Sequence, residues 1–230
     1  MPLDFAALLL ADGRFPTGSH AHSFGLEAAV GAGMVSDVAG LRQWMLGCLH
    51  TVWLVDAAAA VQAAGLCQRY HDPVGHARDW AALDGELSAR IVSAPARRVS
   101  RTLGRQLLRT GRAVWPHPGL DHAVAEPRGP LAPLALGAIA TAAGLGVVDA
   151  ATISLHHATQ GAAAAAIRLL GLGPHATAAL MANLGPQLKA TCLMASATGP
   201  DPADLPSASA PMLDVLFGMH DVADGRLFAS

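Results

Sequence analysis

Between Arg128 and Asp149 the chain runs for 20 residues without a formal charge. A stretch of that length and apolarity has two physical solutions, a bilayer span or the centre of a large helical bundle. Here it contains Gly129, Gly137, Gly144, Gly146, Pro130 and Pro133, much of the remainder is Ala, which gains little from hydrocarbon, and no Lys/Arg cluster or aromatic belt flanks it in the usual way. It therefore reads as a buried core helix. A small integral membrane protein built around Gly129 to Val148 is the alternative.

A helix that is apolar all round needs other helices to surround it. No run alternates apolar and polar residues long enough to argue a sheet, and no repeat recurs along the chain. Hydrophobic residues make up 52% and charged residues 14%, so a compact fold follows, and the share that is alanine requires helices to pack closely to gain contact. Apolar spacing predicts helices over Leu3 to Leu10, Ser23 to Gly33, Val38 to Tyr70 in two pieces broken between His50 and Asp56, and Val74 to Val92. Further helices are predicted over Ala96 to Ala113, Leu131 to Ala143, Asp149 to Leu170, and Pro174 to Thr198. His71-Asp72-Pro73, Trp115-Pro116-His117-Pro118-Gly119 and Pro127-Arg128-Gly129-Pro130 read as turns and loops. The expected fold is an all-α, single-domain bundle of about eight to ten helices spanning 1–198. Residues 199–230 are expected to form a flexible linker and an apolar tail that needs a docking surface, on the chain's own body or on a partner.

Fifteen Lys+Arg against 17 Asp+Glu leave a net charge of -2, which gives no global field for nucleic acid or an anionic membrane. Cys48, Cys67 and Cys192 form no C-x-x-C pair, so neither a disulfide framework nor a zinc knuckle follows. Asp4 precedes the first apolar run and no basic n-region is present, so a cytoplasmic location is expected.

The charge that exists is locally concentrated. Arg90, Arg97, Arg98, Arg101, Arg105, Arg109 and Arg112 lie in a segment, Leu87 to Leu120, without an acidic residue. Positions 97, 101, 105 and 109 repeat every four residues and so align along one helix face, where guanidinium forks suit an acidic partner or phosphate. A solvated face balanced by acids elsewhere is the other reading. His20-Ala21-His22 and His156-His157 are the closest histidine groupings, and neither supplies the three or four ligands that a metal site needs. There is no G-x-S-x-G, G-x-x-x-x-G-K-[ST] or H-E-x-x-H motif, so no catalytic centre is expected. A histidine-based metal-dependent hydrolase is the catalytic alternative.

Phe15-Pro16-Thr17-Gly18, Ser23 and Gly25-Leu26-Glu27 reproduce the pattern P-x-G-x-x-x-x-S-x-G-L-E, which resembles the signature near the start of the UreF family of urease accessory proteins. Leu103-Gly104-Arg105-Gln106-Leu107-Leu108-Arg109 is similar to that family's central Gly-x-x-Leu-Leu-Arg helix. Pro211-Met212-Leu213-Asp214, His220 and Arg226-Leu227-Phe228-Ala229-Ser230 resemble its C-terminal P-x-L-D, H and R-L-F-x-S. The resemblance implies an all-α homodimer that joins the accessory protein UreD (UreH), recruits the nickel-carrying GTPase UreG, and acts on apo-urease. GTP hydrolysis and nickel carriage would belong to the GTPase, leaving this chain as an adaptor with neither cofactor nor bound metal. The partner-binding residues implied are Phe15, Pro16, Gly18, Ser23, Gly25, Leu26 and Glu27 in the N-terminal zone, with Arg101, Arg105 and Arg109 as a docking face for the GTPase. Pro211, Leu213, Asp214, Arg226, Leu227 and Phe228 complete the set as a tail that orders on binding.

Overall fold

The computed structural model describes residues 4–18, 21–69, 73–123 and 128–230. Among these there are twelve α-helices and no strand: α1 (Phe5–Ala11), α2 (Leu26–Gly31), α3 (Val38–Leu49), α4 (Val52–Gln68), α5 (Pro73–Arg90), α6 (Ala94–Val114), α7 (Gly119–His122), α8 (Ala132–Ala142), α9 (Val147–Leu170), α10 (Pro174–Asn183), α11 (Gly185–Ser196) and α12 (Pro211–Asp221). Ten of them have seven residues or more, in line with the expected number, and the all-α reading holds. Leu3, His20, Tyr70, the His71-Asp72 part of the predicted turn, and Pro127 lie outside the described residues.

Two helices form the centre. In α4, 13 of 17 residues are buried, and in α8 eight of 11, so neither has a solvent face. They can lie close together because Gly137 of α8 sits against α4. A Cβ at Gly137 would be 2.1 Å from the Ala60 carbonyl oxygen and 2.9 Å from the Ala63 Cβ. The same device brings α6 onto α8, since a Cβ at Gly111 would meet the Ile139 side chain at 2.4 Å. α9 covers the pair through Ala150, Ala151, Ile153, Ala162 and Ala166. Small residues thus exchange side-chain volume for close backbone approach, and dispersion contacts replace what large side chains would have buried.

The uncharged stretch resolves into α8 and its flanking turns. Gly144, at φ +80°, lies just beyond the end of that helix, which at 11 residues is far short of the ~20 that a bilayer requires. Among the described residues no single helix is long and apolar enough to cross a membrane. The α3–α4 pair is sufficient by length and composition but bends by 42° at the break that the sequence places between His50 and Asp56.

Three segments differ from expectation. The helix predicted from Pro174 to Thr198 is two helices, because Pro186 has no N–H to donate to the carbonyl one turn back and instead occupies the first turn of α11. The proline-rich loop after Trp115 contains the single turn α7. The largest difference is residues 199–230, expected to be a flexible tether and tail. The Gln62 side-chain amide donates to the carbonyls of Gly199 and Asp201, both at 2.7 Å. The Arg90 guanidinium donates to those of Leu205 at 2.9 Å and Pro206 at 3.0 Å. Beyond this strapped segment α12 packs on α2 and α6, so the docking surface that the apolar tail needs is supplied by the chain's own body.

Candidate partner-binding surface

The N-terminal and C-terminal zones are nearly 200 residues apart in sequence and adjacent in space. Phe24 and Gly25 turn the chain into α2 with φ values of +52° and +88°. A Cβ at Gly25 would stand 2.7 Å from Leu213 Cδ1, so this left-handed glycine also admits α12. The Glu27 carboxylate, in the first turn of α2, receives three donors from the tail: His220 Nε2 at 2.8 Å, Leu227 N–H at 2.6 Å and Phe228 N–H at 3.1 Å. Burial alone would raise the pKa of Glu27, but these donors outweigh it and hold the carboxyl below its usual value. Ser23 Oγ donates to the Ser230 carbonyl at 2.8 Å, and the Ser23 and Phe24 N–H groups donate to the same oxygen. His22 Nδ1 lies 2.7 Å from Ser230 Oγ, and burial, then the charge of His220, lowers the His22 pKa.

Ser23, Gly25, Glu27, Leu213 and Phe228 are therefore brought together as internal contacts between the two zones. Leu26 and Phe228 are buried, and Arg168 sits 4.5 Å above the Phe228 ring. Asp214 accepts from the Ser93 N–H at 2.9 Å and so helps fix the start of α6. Phe15 is buried against Trp115, with ring centres 5.7 Å apart, and Gly18, at φ +77°, lies against the Gln106 side chain. Pro16, Pro211, Arg226 and Leu227 remain exposed. Arg98, one of the seven arginines of the basic segment, binds Asp221 at 2.8 Å, and with Arg168 it clamps the tail, although neither belongs to the expected partner-binding set. Nothing local in sequence marks Arg168. Its role depends on where the tail returns.

The arginine row divides along α6. Arg101 is buried and cannot serve as a docking residue in this structure: its guanidinium pairs with Asp84 of α5 at 2.6 and 3.0 Å and donates to the Gly129 carbonyl at 2.6 Å and Ser88 Oγ at 2.9 Å. Arg97 donates to the Ile91 and Val92 carbonyls beyond the end of α5. Arg105 and Arg109 are exposed. Arg105 also donates to the Arg128 carbonyl, leaving Arg109 the freer of the two.

One face of the docked tail is apolar and uncovered. Met212, Val215, Met219 and Val222, spaced by three, four and three residues, lie along one side of α12 and its last turn and are between 49% and 82% exposed. The opposite side buries Leu216, Phe217 and His220. Among the described residues no group of three or more His, Cys, Asp or Glu side chains comes together to hold a metal ion. His157 is bonded to the Leu10 carbonyl at 2.9 Å, and burial pushes its pKa down to about 4.

A sequence model of the UreF family matches residues 35–185. Among curated proteins, the urease accessory protein UreF of Mycobacterium sp. (strain JLS) is 40% identical to the chain over 225 residues, 97% of each. Its counterparts in Mycolicibacterium vanbaalenii and Mycobacterium tuberculosis (strain H37Rv) are 38% and 36% identical over the same 97% of each chain.

Proposed function

Because the chain belongs to the UreF family of urease accessory proteins, we propose that it acts in urease maturation as a non-catalytic cytoplasmic adaptor, a homodimer that joins UreD (UreH) and recruits the GTPase UreG for GTP-dependent nickel insertion into apo-urease. The observation that carries this reading is the exposed Met212–Val215–Met219–Val222 face on a helix locked in place by Glu27, Asp214 and Arg98. Methionine-rich apolar faces suit protein contacts because the unbranched side chain adapts to its partner. Exposed Pro211, Arg226 and Leu227 extend that face toward UreD, with Pro16 an exposed residue of the N-terminal zone, while Ser23, Gly25, Leu26, Glu27, Leu213, Asp214 and Phe228 hold the face in shape and Phe15 and Gly18 anchor the N-terminal zone on Trp115 and Gln106.

Arg105 and Arg109 are assigned to the GTPase, where exposed guanidinium groups meet carboxylates. Arg101 supports that face from below through Asp84. The test is co-expression with the urease accessory set: Arg105→Glu with Arg109→Glu is expected to leave UreD bound and lose UreG. Undiminished UreG recruitment would remove the assignment.

A further inference from the structure

A cavity of about 200 Å³ lies where α3, α4, α6, α9 and α12 converge. Its wall is mainly apolar, and Trp44 and Trp53 meet there edge to face with ring centres 5.8 Å apart. Four charged or titratable side chains line it: Asp56 from α4, Arg90 from α5, His157 from α9 and Asp214 from α12. Three have partners. Arg90 binds Glu86 and the Leu205 and Pro206 carbonyls, His157 the Leu10 carbonyl, and Asp214 the Ser93 N–H. Asp56 alone makes no hydrogen bond or ion pair among the described residues, and burial is the sole influence on it, pushing its pKa up to about 7.

Asp56 is partly buried; a carboxyl group facing a mainly apolar wall without a protein donor is costly to keep, and neither core packing nor the contacts between helices uses it. We propose that this cavity binds a small organic cation, an alkyl- or arylammonium, with its ammonium on the Asp56 carboxylate and its apolar body against Trp44 and Trp53. Each part of the wall has a matching task. Indole faces attract cations through their quadrupole, the carboxylate supplies the counter-charge, and a cavity of this size takes a single ring, since one of ~150 Å³ already holds benzene. The inference is independent of the adaptor reading, because neither the exposed face of α12 nor Arg105 and Arg109 borders the cavity.

The experiment is calorimetric titration of the full chain at pH 8 with benzylammonium and, separately, with benzyl alcohol, its neutral analogue. The ammonium is expected to bind at least ~tenfold more tightly than the alcohol. Asp56→Asn should abolish that preference while leaving alcohol binding in place. Should Asp56→Asn fail to fold, the native chain still decides: lowering the pH from 8 to 6 protonates Asp56, and the preference should shrink, with Arg90, His157 and Asp214 held by the partners named above. Equal affinity for the two ligands, a preference that survives in Asp56→Asn or does not change with pH, or no saturable binding of either overturns the proposal. Nickel(II) binding tighter than benzylammonium and lost in Asp56→Asn would also overturn it.

Discussion

Asp56 and Arg101 are both ionisable residues set among packed helices, and the fold treats them in opposite ways. Arg101 has a bidentate partner in Asp84 and two further acceptors, so its charge is fully met. Removing one member leaves the other charge buried and alone, so Arg101→Ala is expected to cost about 3–5 kcal/mol, read as a lower midpoint in urea unfolding. A loss below about 1 kcal/mol would mean that the pair is solvated. Asp56 has no such partner, and its pKa, about 7 against an ordinary 3.8, means that the folded state holds the proton more tightly than the unfolded one. Its contribution to stability is therefore complete below pH ~4 and is lost as pH rises to ~7. Asp56→Asn should be more stable than the native chain at pH 8, by up to about 4 kcal/mol, and little more stable at pH 4. His157 has the reverse sign. Its pKa is lowered to about 4 from 6.5, foremost by burial, so it weakens the fold as pH falls from 6.5 toward 4, and His157→Gln should flatten that part of the stability curve. The four-residue arginine period was legible in the sequence, but the burial of Arg101 was not, because Asp84 belongs to a different helix and only packing brings it alongside.

Among the elements, those with strong local signals were legible nearly to the residue. The helix expected over Leu131 to Ala143 is Ala132–Ala142, with Pro133 in its first turn and left-handed Gly144 just beyond its end. The helix expected from Asp149 to Leu170 begins two residues earlier and stops at left-handed Gly171. What escaped were elements whose signal is tertiary. α12 follows a Pro/Ser/Ala segment and is only 11 residues long, so its formation depends on α2 and α6 beneath it rather than on propensity. The alanine content implies close helix packing in general, but not that Gly137 is the point where α8 meets α4, since a glycine in a helix interior ordinarily weakens it. At Gly137 it does the opposite. Gly137→Ala would drive a methyl to within 2.1 Å of the Ala60 carbonyl oxygen, a backbone atom with no freedom to rotate away. Despite the gain in helix propensity it should destabilise the protein by about 1–3 kcal/mol. Gly161→Ala in α9, whose Cβ would meet nothing within 4 Å, should be neutral or stabilising. Equal thermal shifts for the two variants would dismiss close α4–α8 approach as the reason for Gly137.

At the scale of the whole molecule the tail both completes the fold and offers a surface, and these roles must be separated before partner binding is ascribed to either. Truncation after Gly199 would remove one of the two acceptors of Gln62, the Leu205 and Pro206 acceptors of Arg90, the partners of Glu27 and the cover of Leu26, so lost co-purification with UreD would report a damaged fold as readily as a missing contact. Substitution on the outward face of α12 avoids the ambiguity. Met212, Val215 and Met219 point away from α2 and α6, and replacing all three with Asp leaves Leu213, Leu216, Phe217 and His220 in place beneath them. Such exposed changes should each shift stability by no more than about 0.5 kcal/mol, yet they put three charges into the middle of an apolar contact, where each desolvated, unpaired carboxylate costs several kcal/mol. The triple variant is therefore expected to melt within a few degrees of the native chain and to lose at least ~100-fold in affinity for UreD, measured by titration of the two purified proteins. Glu27→Ala should show the converse pattern, a lower melting temperature from the released tail together with weaker UreD binding that recovers at lower temperature, as the tail redocks. If the triple variant binds UreD at native affinity, the partner sits elsewhere, and the exposed Leu193–Met194 pair on α11 becomes the face to test next.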